Sequence, residues 1–306
     1  MKKFFWIFMM AAALVFTACS DDSEGYDADS AVSNYVPSQS ARKVASIYTT
    51  NVIDGREYSF RHNFTYDKQG RIKEVNSEIQ HHRMSTSSVL GGTKFTPCKI
   101  TSNAKYYYKG EFLEVACSVV GKYPSDKSYW DYSRSFTDGG RLNDNGYIVT
   151  YSQPPYEGFE CEYNFTNLRS VAFDGGYLFD ILRDANGNVN GHIFTGYDKA
   201  GNDSTSTRAG RYQYTAVKNK TNFDFAAYFG YWEHERYISA LSSWPYATYQ
   251  LAAFGFFGSC SSYLPLCDSS LADGLSAFSL WEFDENVCPV KYTAPDGRVT
   301  VITYVE

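Results

Sequence analysis

Five histidines, seven cysteines and a surplus of carboxylates are the groups in this chain with the chemistry for catalysis, metal binding or cross-linking. The histidines are His62, His81, His82, His192 and His234. A zinc-protease helix needs two histidines four residues apart, with a glutamate beside the first. His234-Glu235 is followed by Arg236, Tyr237 and Ile238, so the second ligand is missing. His81 and His82 sit in a polar stretch expected to be loop-like, and neighbours on an extended chain point opposite ways. Asp184-Ala185-Asn186-Gly187-Asn188-Val189-Asn190-Gly191 superficially suggests a calcium loop. That loop needs Gly at its sixth place and Glu at its twelfth. Counted from Asp184 the sixth is Val189, and counted from Asn186 the twelfth is Tyr197, so a hairpin turn is expected. No nucleophile elbow, phosphate loop or dinucleotide fingerprint occurs. A pair of carboxylates could cleave glycosides, but the spacing selects no pair. No catalytic residue, metal site or cofactor is therefore expected, and a carboxylate-based hydrolase or lyase stays an alternative.

The cysteines divide into one and six. Cys19 closes an N-terminal segment of distinctive build. Lys2 and Lys3 precede an unbroken apolar run, Phe4 to Phe16, and the small residues Thr17 and Ala18. The run is too short to span a bilayer, which takes ~20 residues, and it suits a secretory signal. A Cys directly after the small residues resembles the lipobox of bacterial lipoproteins, although Phe16 stands where Leu is usual. The resemblance implies cleavage before Cys19 and acylation of its thiol and freed amine. Two or three chains such as palmitate anchor stably, because each buried methylene contributes about 0.8 kcal/mol. Ser20-Asp21-Asp22-Ser23-Glu24 follows at once and resembles the surface-export signal of Bacteroides-type lipoproteins. The expected organisation is a signal peptide at 1–18, a lipidated flexible tether at 19–41 and one β domain at 42–306. The expected location is the outer membrane, facing the exterior.

Six cysteines remain: Cys98, Cys117, Cys161, Cys260, Cys267 and Cys288. Exported proteins permit disulfides, and six cysteines allow fifteen pairings. Cys260 and Cys267 are closest in sequence and form the candidate bridge. Buried free thiols, packing as small hydrophobes, are the other reading. Loss of Lys2 and Lys3 takes the net charge from −6 to −8. No basic run exceeds two residues, which argues against nucleic acid, whose phosphates need clustered cations. Aromatics are the positive oddity, at 27 Tyr, 22 Phe and 5 Trp. They are densest at Tyr106-Tyr107-Tyr108 and from Tyr228 to Tyr237. Such rings stack on sugars, and they are also simply common in strands.

The elements that position these groups read as β-hairpins. Turn signals recur at Asp67 to Gly70, Lys109-Gly110, Asp138-Gly139-Gly140, Asn145-Gly146, Asp174 to Gly176, Asn186-Gly187, Ala200 to Asn202 and Asp296-Gly297. Such steps tolerate the positive φ of tight turns. Between them lie short β-rich runs, such as Tyr58 to Phe64, Phe112 to Ala116 and Arg298 to Tyr304. A loose plan repeats: an aromatic ends one strand, a Gly turn follows, and an aliphatic strand returns. Asp203-Ser204-Thr205 matches an O-glycosylation triplet and is read as a polar turn. One block differs. Apolar residues at helical spacing run from Thr221 to Leu241, with Asn222 or Asp224 as the cap. A second apolar run covers Tyr246 to Phe257.

Four pieces together resemble an uncharacterised family of Bacteroides-type lipoproteins, a domain of unknown function with a porin-like fold. They are the lipobox with its acidic tail and the hairpin Phe64 to Ile72. Asn222 to Phe225 leading to Gly258 through Pro265 is the third, and the closing run from Trp281 to Tyr304 is the fourth. The resemblance implies an all-β fold, a large, strongly curved antiparallel meander, barrel-like or half-barrel, and the apolar block near 221–257 is expected to cover one end of it. It implies no activity. The strands carry mixed faces, whereas a membrane barrel presents an apolar band to lipid on alternate residues. The leading expectation is thus a non-catalytic binding or accessory lipoprotein, with glycan as the candidate ligand. A periplasmic carrier of an apolar ligand near Phe254, Phe256 and Phe257 is the alternative.

Overall fold

The computed structural model describes residues 41–86, 93–153, 156–164, 167–173, 177–197, 203–209, 213–229, 251, 253–267 and 279–306, with mainly the backbone in the strands of 156–182 and 189–209. The signal segment, Cys19, the tether, His234 and the turns expected at 174–176 and 200–202 lie outside these residues.

The strands are β1 Val44–Ile53, β2 Arg56–Tyr66, β3 Ile72–Thr86, β4 Thr93–Lys109, β5 Phe112–Lys122, β6 Tyr132–Leu142, β7 Ile148–Gln153, β8 Tyr156–Asn164 and β9 Asn167–Phe173. They continue with β10 Tyr177–Arg183, β11 Val189–Tyr197, β12 Asp203–Ala209, β13 Gln213–Lys218, β14 Tyr263–Cys267, β15 Leu280–Phe283, β16 Pro289–Thr293 and β17 Val299–Tyr304. Fifteen of them form one antiparallel sheet. A meander runs from β1 to β12, and β17, β16 and β15 continue it on the other side of β1. β12 and β15 are its two edges, and the ladder does not close into a barrel among the described residues. β13 and β14 pair separately.

One hairpin design recurs four times at the same end of the sheet. Residues 67–71, 143–147, 184–188 and 284–288 each form a five-residue turn. In each, the side-chain oxygen of Asp67, Asn143, Asp184 or Asp284 accepts two backbone N–H groups, from the residues two and four places on. Gly70, Gly146 and Gly187 supply positive φ in the first three, and Val287 adopts it in the fourth. Two residues past each turn the register slips by one. A bulge of this kind bends a strand and increases its twist. Four bulges at one end therefore curl the sheet there.

Inward-facing residues alternate along the strands, as in β5, where Leu113, Val115, Cys117 and Val119 are all buried. The described stretches between β13 and β14, residues 219–229, 251 and 253–262, pack against the curled end. Asp224 caps a short helical turn at residues 225–229, receiving Ala226 N–H at 2.9 Å and Ala227 N–H at 3.0 Å. Phe223, Phe225, Leu251, Phe254 and Phe256 are each at most 3% exposed. Phe254 stacks edge-on to Phe64 at 5.1 Å, and Phe229 lies 4.2 Å from Tyr292. Ring pairs of this geometry add about 0.5–1.5 kcal/mol beyond the area they bury. Residues 221–229, 251 and 253–257 of the expected apolar block thus cover this end, and the remainder of the block, with the rest of the helix expected up to Leu241, lies outside the described residues. The chain enters at this end too: Arg42 N–H bonds Lys220 O, and Asn222 N–H bonds Arg42 O.

Three expectations need correction. Asp138-Gly139-Gly140 is no turn but lies inside β6, with Asp138 and Gly140 facing the interior. A Cβ at Gly140 would meet Thr150 O at 2.5 Å, so glycine serves close strand packing there. His81 and His82 are in β3 rather than a loop. Asp203-Ser204-Thr205 opens the edge strand β12 and is not a turn.

Candidate binding pocket at the plugged end

The β10–β11 turn packs against the start of β14. Asn188 Oδ1 accepts Tyr263 N–H at 3.1 Å, and Ser262 Oγ donates to Asn186 O at 3.3 Å. Behind this junction lies an open pocket of about 480 Å³, lined by Asp184, Asn186, Asn188, Tyr214, Thr215, Ala216 and Tyr263. Its polar side is rigid. Asp184 Oδ1 holds the backbone N–H groups of Asn186 and Asn188 at 2.8 and 3.0 Å, and Asp184 Oδ2 holds the Asn188 amide at 2.9 Å. Burial works against ionisation of Asp184, but these donors, aided by Arg183, outweigh it and hold the carboxyl below its ordinary range. Its aromatic side comes from the small sheet, where Tyr214 OH lies 3.3 Å from Ser261 Oγ.

The hairpin expected from Asp184 to Gly187 is present, and its carboxylate oxygens are engaged by the turn itself. Among the described residues no group of three or more His, Cys, Asp or Glu could hold a metal ion. His62 is buried and isolated from the other histidines. Its Nδ1 meets Ser77 Oγ at 2.8 Å, and burial lowers its pKa to about 4. Cys98, Cys117, Cys260 and Cys288 carry free thiols. The side chains of Cys161 and Cys267 lie outside the described set. Phe254 and Phe256, considered above as lining for an apolar ligand, are instead packed into the core.

A second polar group was missed by the sequence reading. Asp138 is 1% exposed inside the curled sheet, and neither carboxylate oxygen makes a hydrogen bond of normal geometry. Burial pushes its pKa up to about 7, and the neighbouring Tyr151 hydroxyl offsets part of that rise. Tyr106 and Cys117 share the site, and burial raises both, Cys117 to about 12. The Asp-Gly-Gly signature of a turn concealed this residue. The one available signal was the strand pattern on both sides of it.

The curled antiparallel sheet, unclosed among the described residues and filled at one end, defines the fold class as all-β and barrel-like. The structure is similar to a porin-like protein from Bacteroides uniformis, with a TM-score of 0.51 over 86% of this chain and 98% of that chain, at 12% identity. The likeness is one of fold, and the porin-like fold expected above is thereby shown. No family model matches the sequence. No curated protein matches it either.

Proposed function

We propose that this chain is a non-catalytic, lipid-anchored binding protein of the outer membrane, held at Cys19, facing the exterior, with a glycan as its ligand. The observation that carries the reading is the pocket of Tyr214 and Tyr263 against Asp184 and Asn186. Saccharides offer an apolar ring face and a fringe of hydroxyls. Tyrosine rings take the first, and the Asn186 amide, carried on the turn that Asp184 holds in place, takes the second. The rigid turn lowers the ordering cost of binding. Cys260 is a free thiol in this structure, so its bridge to Cys267 stays a proposal for the exported chain under oxidising conditions, which the mass of alkylated protein with and without reductant tests.

The test of function is a glycan array probed with the full mature protein in detergent, followed by titration of any hit against Tyr214→Ala and Tyr263→Ala. Binding that falls at least tenfold in both variants supports the pocket. An array without signal, or a hit indifferent to both changes, removes the glycan reading. The anchor is tested separately by protease shaving of intact cells. Wild type should be shaved, and Cys19→Ala should leave the membrane fraction.

A further inference from the structure

At the opposite end of the sheet from the pocket, the β5–β6 connection forms a six-residue 3-10 turn, Ser125–Trp130, none of whose residues is buried. It is nevertheless firmly held. Asp131 Oδ1 accepts Tyr123 N–H at 2.8 Å, Asp131 Oδ2 accepts Lys122 Nζ at 2.9 Å, and Asp131 N–H closes on Ser128 O. Tyr123 and Tyr132 root it on a small separate core of Ile79, Cys98, Ile100 and Val119. On this base Tyr129 stands 69% exposed, its ring 5.3 Å from that of Trp130. Cations surround the step. Arg83 lies 4.9 Å from the Trp130 ring, and Lys127 lies 5.6 Å from Tyr129 and 5.7 Å from Trp130. Arg134 lies 5.8 Å from Tyr132.

Counting Lys122, the turn and its flanks hold four cations against two carboxylates, Asp126 and Asp131, on a chain whose net charge is −6. A structural role does not account for Tyr129, because it covers no core. An exposed ring fixed in place, flanked by this excess of positive charge, matches a ligand with both a flat apolar face and negative charge. We infer that this turn is a second binding site, independent of the pocket, and that it takes an acidic polysaccharide bearing uronate or sulfate groups. Tyr129 would stack on a sugar ring, and Lys127 and Arg83 would meet its carboxylates or sulfates in charge-assisted bonds. The site lies at the far end of the sheet from residue 42, roughly 35 Å away along the eleven residues of β5.

The experiment is titration of the full mature protein in detergent with polygalacturonate, with sulfated dextran, and with neutral dextran as control. Both polyanions should bind, dextran should not, and binding should weaken at least tenfold between 50 and 500 mM salt, these concentrations being chosen to span roughly a Debye length of 14 down to 4 Å. Tyr129→Ala and Lys127→Ala should each weaken polyanion binding about fivefold or more, while Tyr214→Ala leaves it unchanged. Equal binding of dextran, or polyanion binding indifferent to Tyr129→Ala and Lys127→Ala, overturns the assignment. So does binding confined to anionic vesicles or duplex DNA. Loss of polyanion binding in Tyr214→Ala would place the ligand in the pocket and equally overturn it.

Discussion

Asp224 and Ser261, 37 positions apart, are joined by a 2.7 Å hydrogen bond from the Ser261 N–H to Asp224 Oδ2. The other oxygen of the same carboxylate caps the helical turn that follows it. Asp224 N–H also bonds Ala253 O at 2.7 Å, so one buried residue ties three stretches of the plug together. Asp224→Ala leaves the buried N–H groups of Ala226 and Ser261 and the half-buried one of Ala227 without an acceptor. Each buried one costs about 1–3 kcal/mol, so a loss of at least ~2 kcal/mol is expected. Asp224→Asn keeps the cap but turns an amide toward Ser261 N–H, and should cost less. Chemical denaturation of the two variants checks this, and the idea fails if both match wild type.

Asp138 gives the fold a pH dependence of definite sign. Its pKa is about 7 in the fold and 3.8 in the unfolded chain, so folding takes up a proton between these values. Stability is fully present below about 3.8 and falls as pH rises toward 7. The limiting loss is on the order of 4 kcal/mol, at about 1.4 kcal/mol for each tenfold change in proton affinity. Asp138→Asn removes the titration and should melt above wild type at pH 8. The thermal midpoints at pH 5 and pH 8 report it, and an unchanged difference between them would refute it.

His62 acts on the acid side. Burial lowers it to about 4 from 6.5, so folding excludes a proton. Its contribution is complete above 6.5 and is lost as pH falls through 4. His62→Gln should flatten the acid limb of the stability curve between pH 6.5 and 4, worth roughly 3 kcal/mol at the limit. Urea midpoints at pH 7, 5.5 and 4.5 measure it, and parallel curves for the two proteins would exclude the assignment.

Two glycines separate packing from backbone freedom. Gly140→Ala puts a methyl against Thr150 O and the Tyr151 ring, whereas a Cβ at Gly110 meets nothing within 4 Å. Gly110 needs only its φ of 64°. The first change should cost about 1–3 kcal/mol or more, the second nearer ~1 kcal/mol. Equal denaturation midpoints would show that the strands separate to admit the methyl.

These residues also show what the sequence could disclose. The turns at Asp67, Asn145-Gly146, Asn186-Gly187 and Asp296-Gly297 were legible, because local positive φ is encoded locally. Asp138-Gly139-Gly140 carries the same residue types for another purpose. Burial and strand approach are properties of neighbours distant in sequence, which no short window contains. The Asp184 side of the pocket was readable as a turn. Its partners Tyr214 and Tyr263 become neighbours of it only through the pairing of β13 with β14. The tyrosine run at 106–108 was noticed as a cluster, yet strand alternation buries Tyr106 and leaves Tyr107 42% exposed.

The placement of β1 has a mechanical consequence. It is bonded along one side to β2 and along the other to β17, and the chain enters it at Val44. A pull between that point and the 3-10 turn at the far end runs along the strands. Both flanking ladders then resist together in shear, since antiparallel hydrogen bonds lie across the strand direction. A strand peeled from an edge would surrender its bonds one by one. By its position inside the sheet, β1 is built to hold under a pull applied between Val44 and the opposite end of the sheet.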